Sequence, residues 1–435
     1  MTNIQPLLRQ REIALFFFPL VLNVQLMSLS HTIINGALAR LDNYVTALAG
    51  FSVAMVVHLF IASPSYQNHT VTIAMVRGHR SLRSVLLFVA LVAGYVALML
   101  SLIAFTPVGD LVLERVLGAP PEVAEAAREA LYILVLLPFF TGLRGFCQGL
   151  VIRARRTSLV SVATGIRVVG LLIFLSIGSY WFVGAQLGAF ALVGCVVTET
   201  LFMFFFAWRV HPPLDNDIPE KGRVEILRYA FPLAYSSCLQ QTIPLLICAI
   251  VGRLADGPFA LAGFGVIRGF LFLLAGPMRN LQQAYLTLVR QEGDYPQLVR
   301  FAYWTSLVMG LIVLLIAGPG NRLVLGQWLG VATDLRQYLS WPLAACALFP
   351  ALYSASNLLR GWFAGAHLTS RLGHSTLVKA LFLLLCWGPI AWLNPSLPGV
   401  VIAIALLMAA ESVEAGYLLL QRNRQPEKDR TLVPL

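Results

Sequence analysis

Of the chain's 435 residues, 58% are hydrophobic and only 12% are charged. A water-soluble fold of that length needs a polar exterior, which this composition does not supply. Lipid must face much of the chain, and lipid admits only helices or closed barrels as spanning elements. The formal net charge of +11 would suit nucleic acid, but the basic residues lie mostly on one set of loops, so no nucleic-acid partner is expected.

The apolar stretches run continuously for about twenty residues, which selects helices over barrel strands; Leu86 to Phe105 is an example. In chain order the expected spans are 13–40, 44–76, 83–106, 129–152, 158–181, 184–208, 226–253, 258–289, 300–326, 335–362, 370–393 and 398–421. The first begins at Ile13 and carries Pro19, Asn23 and Gln25 with no small-residue cleavage site, so it reads as a span rather than a removable signal. The second and eighth are long, which implies tilt, protrusion or a bend at Pro64 and Pro277. Asn68-His69-Thr70 matches a glycosylation sequon but falls inside a span. The loop Asp110–Glu129 is acidic and amphipathic and is expected at the membrane interface. His211–Gly222, with Pro212, Pro213 and Pro219, is the natural linker. The expected organisation is an N-terminal six-helix lobe over 1–210, a cytoplasmic linker over 211–224, a C-terminal six-helix lobe over 225–421 and a cytoplasmic tail over 422–435.

Twenty Lys and Arg residues, Arg360 among them, fall on one set of loops and termini. Six fall on the other: Arg40, Arg115, Arg128, Arg253, Arg322 and Arg336. The positive-inside rule then makes both termini and the linker cytoplasmic and places the protein in the cell's inner (plasma) membrane as a multi-pass protein.

The halves repeat. At an offset of 213, Phe18-Pro19-Leu20 falls on Phe231-Pro232-Leu233, Arg40 on Arg253, Pro64 on Pro277 and Arg77 on Arg290. At 212, Pro138 meets Pro350, Gly149 meets Gly361, Thr164 meets Thr376, Arg167 meets Lys379 and Glu199 meets Glu411. Hydrophobic bias produces chance Leu and Ala matches, not Arg, Pro, Gly and Glu at one constant shift. Six spans per half make the repeat parallel, the arrangement in which two lobes rock around a midplane site.

Each ionisable group at bilayer depth costs roughly 2.5–3.5 kcal/mol on insertion scales and calls for a partner, a wet cavity or a function. Arg144, Arg167, Arg268, Arg279 and Lys379 are five such bases, against the acids Glu199, Glu411 and Glu414. Arg268 and Arg279 stand eleven apart, three helical turns, with Gln283 four beyond; His58 and His69 repeat that spacing in the first half. Arg144 shares a face with Thr141 and Gln148, and Thr164–Arg167 and Thr376–Lys379 form the same i, i+3 pair. One reading is a basic central cavity for an anion, with Arg144, Arg167, Arg268, Arg279, Lys379, Gln148 and Gln283 as substrate ligands, since a guanidinium fork suits phosphate or carboxylate. The other is that the bases pair with Glu199, Glu411 and Glu414 or reach to an interface. His31, His58 and His69 are candidate proton carriers, and Glu199 and Glu411 are candidates for coupling or for ties within each lobe. The six cysteines form no CxxC pair, no metal-ligand pattern or P-loop appears, and no enzyme activity or cofactor is expected.

With these residues in place, the chain resembles the progressive ankylosis (ANK) family, within the superfamily of multidrug/oligosaccharidyl-lipid/polysaccharide (MOP) exporters that includes MATE exporters and lipid-linked sugar flippases. The resemblance rests on the Phe18-Pro19-Leu20 helix, Ala49-Gly50-Phe51 with Pro64 and Arg77, the Pro138-Phe139 helix leading to Gly149, and Ala275-Gly276-Pro277-Met278. It implies an all-α, MATE-like V of two pseudo-symmetric six-helix lobes and the outward movement of anions such as ATP, pyrophosphate or citrate. The expected function is alternating-access export of a small anionic solute, with membrane lipid as surroundings and H+ or Na+ as candidate coupling ions. The alternatives are a flippase for a lipid-linked phosphate or oligosaccharide and a MATE-like cation-coupled drug exporter, which a positive cavity disfavours.

Overall fold

The computed structural model describes residues 7–38, 40–117, 119–210, 220–254, 256–328, 333–393 and 397–425. Most of the expected linker (211–219) and most of the expected tail (426–435) lie outside the described residues. The described chain is helical throughout, in the order α1 (Gln10–Leu38), α2 (Tyr44–Ile61), α3 (Asn68–Met75), α4 (His79–Phe105), α5 (Pro121–Leu134), α6 (Leu137–Arg153), α7 (Thr157–Gly178) and α8 (Ala185–Val210). The second half gives α9 (Arg223–Val251), α10 (Gly257–Leu274), α11 (Leu281–Leu288), α12 (Asp294–Ala317), α13 (Thr333–Ala345), α14 (Phe349–Gly365), α15 (Thr369–Leu393) and α16 (Gly399–Asn423).

Among the described residues nine helices are long and apolar enough to cross a membrane, or eleven when two bent pairs each count as one span. The bends are 59° between α2 and the segment ending with α3, and 48° between α5 and α6. The remaining expected span, 258–289, is α10 and α11, with the 3-10 segment Gly276–Asn280 between them. The cause of these breaks is chemical. Proline lacks an amide hydrogen and its ring crowds the preceding turn, and Pro64 and Pro277 sit in short 3-10 segments, Ser63–Gln67 and Gly276–Asn280.

The duplication is drawn again in the helix ends. At the offset of 213, the bounds of Gln10–Leu38 fall on those of Arg223–Val251, Tyr44–Ile61 on Gly257–Leu274, and Asn68–Met75 on Leu281–Leu288. At 212, Leu137–Arg153 meets Phe349–Gly365. The glycines that the repeat retains have the same work in both halves. A Cβ at Gly149 would stand 2.6 Å from the Thr72 side chain, and one at Gly361 would stand 2.8 Å from that of Tyr285, the residue equivalent to Thr72. Only glycine lets α6 approach α3, and α14 approach α11, this closely.

By contact the chain forms two compact units, Phe18–Cys238 and a second made of Met1–Phe17 with Leu239–Leu435. Helices α1 and α9 therefore each contribute to both. The first unit's core includes Ile34, Phe51, Leu100, Leu131 and Leu192; the second's includes Ile247, Phe264, Leu339, Leu383 and Ala403. Within each unit a polar side chain caps the helix after the broken span. The Ser81 hydroxyl accepts from the Arg77 and Gly78 amides at 3.0 Å each, and the Ser81 amide donates to the Glu220 carboxylate. Asp294, the counterpart of Ser81, accepts from the Arg290, Gln291 and Leu8 amides at 3.0, 3.2 and 3.0 Å. A carboxylate there also complements the positive end of the helix dipole.

Candidate functional site

The buried charges gather into one cluster per unit. In the first, α8 presents Glu199 to two bases from its neighbours. Arg144 on α6 donates through Nη1 to both carboxylate oxygens at 3.2 and 3.3 Å, and Arg167 on α7 donates to Oε2 at 3.2 Å. The Thr164 hydroxyl, one turn before Arg167, lies 2.8 Å from Glu199 Oε1 and 2.6 Å from Asn23 Oδ1 on α1. A hydroxyl has one proton, so Thr164 donates to the carboxylate when the Asn23 amide is turned to donate to Thr164. Glu199, Arg167 and Thr164 are all buried; the Arg144 side chain keeps 14% of its surface. Two cations on one carboxylate leave a formal excess of one positive charge, carried nearest the surface by Arg144.

In the second unit, α16 presents two acids one turn apart. Lys379 on α15 forms ion pairs with Glu411 and, at 3.0 Å, with Glu414. Arg360 on α14 pairs with Glu414 and reaches Thr376 Oγ1 at 3.4 Å, while the Ser375 hydroxyl lies 3.4 Å from Glu414. This cluster is neutral and buried throughout.

The five bases expected to share one cavity therefore fall into two classes. Arg144, Arg167 and Lys379 are held by carboxylates of their own unit. Arg268 on α10 and Arg279 in the 3-10 segment are exposed, and no carboxylate lies within ion-pairing distance of either among the described residues. Arg268 has Cys248 within electrostatic reach, and Arg279 has Tyr353. The periodicity that put Arg268, Arg279 and Gln283 on one face needs correction. It assumed a continuous helix, and the 3-10 segment interrupts it; Gln283 is buried while Arg279 is exposed, and its amide nitrogen lies 3.4 Å from Asn280 Oδ1. The His58–His69 spacing fails for the same reason, because a 59° bend lies between them.

Arg360 also needs correction. Counted among the loop cations, it is a buried member of the second cluster. The repeat aligns it with Gln148, a polar residue in the same turn of α6, and that was the available signal. Gln148 itself is buried on α6. His58 is buried with Nδ1 unpartnered among the described residues; His31 lies within electrostatic reach of both His58 and Arg167. His69 is half-buried on α3. Among the described residues no group of three or more His, Cys, Asp or Glu could hold a metal ion, and all six cysteines are free.

Comparison with known proteins places this geometry. Residues 1–184 match the family model for progressive ankylosis protein (ANKH), and no curated protein sequence matches the chain. Among solved structures, a MOP superfamily transporter from Pyrococcus furiosus, whose binding pocket is described as reversed in polarity, aligns at TM-score 0.73 and 16% identity over 95% of each chain. A MATE in complex with MaD3S aligns at 0.72 and 17%, over 95% of this chain and 96% of that one. The eukaryotic MATE transporter AtDTX14 aligns at 0.67 and 13% over 97% of each. The chain thus has the fold of MATE transporters of the MOP superfamily, and over residues 1–184 it carries the progressive ankylosis family pattern.

Proposed function

We propose that this protein is a secondary-type membrane transporter that exports a small anionic solute (a nucleotide, pyrophosphate or a polycarboxylate) by alternating access, from an inner membrane in which both termini are cytoplasmic. The shared fold and the match over residues 1–184 support transport as the activity. The observation that carries the charge of the cargo is the pair Arg268 and Arg279. Both guanidinium groups are exposed on a broken span that carries no other charged residue, without a carboxylate of their own among the described residues. An exposed cation at bilayer depth is tolerable where water reaches it, and a planar fork in water-filled space binds phosphate or carboxylate bidentately. The structural neighbour with a pocket of reversed polarity is precedent for a member of this superfamily built on a different charge plan.

The ion-paired clusters are assigned a scaffolding role. Glu199 ties together three helices in the first unit, and Glu411 with Glu414 does so in the second; the excess charge at Arg144 adds a positive field beside the first cluster. His31, His58 and His69 are the candidates for proton coupling, with His31 within electrostatic reach of Arg167 and of His58; sodium coupling is the alternative. Reconstituted liposomes test the substrate class. Labelled ATP, citrate and a phospholipid-linked sugar are offered in turn, with imposed proton or sodium gradients. Flux of ATP or citrate is expected. Movement of the lipid-linked sugar alone would replace the exporter with a flippase, and movement of cationic drugs alone would overturn the anion reading.

A further inference from the structure

Helix α12 is the candidate span with the smallest buried share, 28% of its most apolar window. Its exposed side chains in that stretch, among them Tyr303, Trp304, Leu307, Leu311 and Leu315, are apolar or aromatic, so this face meets hydrocarbon. Yet it is not flat. A groove of about 360 Å³ runs between α12 and α14, walled by Leu307, Leu311 and Leu314 on one side and by Leu348 and Leu358 on the other, over a floor of small residues. The groove exists because the floor is small and tight. A Cβ at Gly310 would stand 2.6 Å from the Ala347 carbonyl oxygen. The floor hydroxyls of Ser306 and Ser354 are 2.6 Å apart, and Ser354 donates to the Pro350 carbonyl at 2.7 Å, so the polar groups are satisfied beneath an apolar surface.

Two dimensions identify the occupant. The α12 lining runs from Val299 to Leu314, about 22 Å at 1.5 Å per residue, which is the length of one extended fatty-acyl chain and far longer than a compact apolar solute. At one end stands a charge. Arg300 is exposed and lies seven and eleven residues before Leu307 and Leu311, on the same stripe of the helix. Tyr303 and Trp304 follow it by three and four residues, with their rings edge-to-face at 5.6 Å, as aromatics sit at a headgroup boundary. No carboxylate lies within ion-pairing distance of Arg300 among the described residues.

We infer that the α12–α14 groove is a binding site for one anionic phospholipid, with an acyl chain lying along the groove and the phosphate headgroup held at Arg300. The lipid comes from the leaflet on the basic side of the membrane, where anionic headgroups and exposed arginines meet. The site is separate from Arg268 and Arg279 and holds whatever the transported solute proves to be. Its effect is to fill a crevice that hydrocarbon would otherwise cover loosely, and to add apolar contact between α12 and α14 above the Ser306–Ser354 hydrogen bond.

Native mass spectrometry of the full chain, purified in the presence of phosphatidylglycerol and phosphatidylcholine at equal concentration, reads this directly. The wild type is expected to retain one phosphatidylglycerol. Arg300→Gln is expected to reduce the preference for phosphatidylglycerol about fivefold, the scale of one basic residue at an anionic surface. Ala351→Leu, an exposed floor residue whose larger side chain fills the groove, is expected to remove both lipids. Thermal melting of each variant verifies that it is folded. Retention unchanged by Ala351→Leu would overturn the groove as the site, and a lipid ratio unchanged by Arg300→Gln would overturn the headgroup assignment. A two-copy mass that Ala351→Leu alone converts to one would make the groove a face between copies and overturn the proposal.

Discussion

The two buried clusters descend from one ancestral arrangement and have been balanced differently. In both, the carboxylate comes from the last helix of the half and a base with its i−3 threonine from the helix before it: Glu199 with Arg167 and Thr164, Glu411 with Lys379 and Thr376. The second base differs by one turn. Arg144 sits level with Glu199, whereas Arg360 occupies the position of Gln148 and is met by an added acid, Glu414. The first cluster is two cations on one anion; the second is two on two. The shared part joins the last two helices of each half, and the second base, which differs, adds the third helix and decides where positive charge is left over.

The largest expected effect follows from that stoichiometry. Glu199→Gln removes the one carboxylate that faces Arg144 and Arg167 among the described residues, leaving two cations uncompensated, and is expected to cost about 3–5 kcal/mol of stability. Thermal melting and yield in detergent read it. Glu411→Gln is expected to cost less, about 1–3 kcal/mol, because Glu414 still holds Lys379 at 3.0 Å. Equal losses in the two variants would break the comparison.

A smaller effect comes from the opposite end of the lobes. The Asp256 carboxylate accepts from the Tyr338 hydroxyl and from the Gly399 amide at 2.8 Å. Neither Asp256 nor its counterpart Asn43 caps its own helix through the side chain. Burial pushes the Asp256 pKa up, but these hydrogen bonds outweigh it and hold the carboxyl below its ordinary value. A carboxyl depressed in the folded state contributes stability above its unfolded pKa of about 3.9, and that contribution is lost as pH falls toward the folded value. Acid melting of the wild type is therefore expected to show a loss below about pH 4 that Asp256→Asn lacks. The difference is under about 1 kcal/mol, since the group is partly exposed.

The sequence carried most helix ends to within about four residues, because proline, glycine and the repeat offset all act locally; the expected spans 129–152 and 300–326 miss the start at Pro121 and both ends of Asp294–Ala317 by more. Pro64 and Pro277 marked the broken spans, and the retained Gly149 and Gly361 marked the close crossings. Charge pairing was legible as a possibility only. Arg360 lies near the end of an expected span, where a loop assignment is natural, and its partner Glu414 is 54 residues away on another helix. The face shared by Arg268, Arg279 and Gln283 was misread because three turns of counting crossed a 3-10 segment, where the angle per residue changes. Periodicity holds only as far as the helix does.

The division between held and open cations is the claim on which the transport reading stands. Citrate and ATP flux into proteoliposomes, normalised to folded protein, tests it with Arg268→Gln, Arg279→Gln and the double variant. The account predicts that melting temperatures stay at the wild-type value while the double variant loses at least tenfold in flux, about 1.4 kcal/mol or more of anion stabilisation. Wild-type flux in the double variant, with the protein folded, would contradict it.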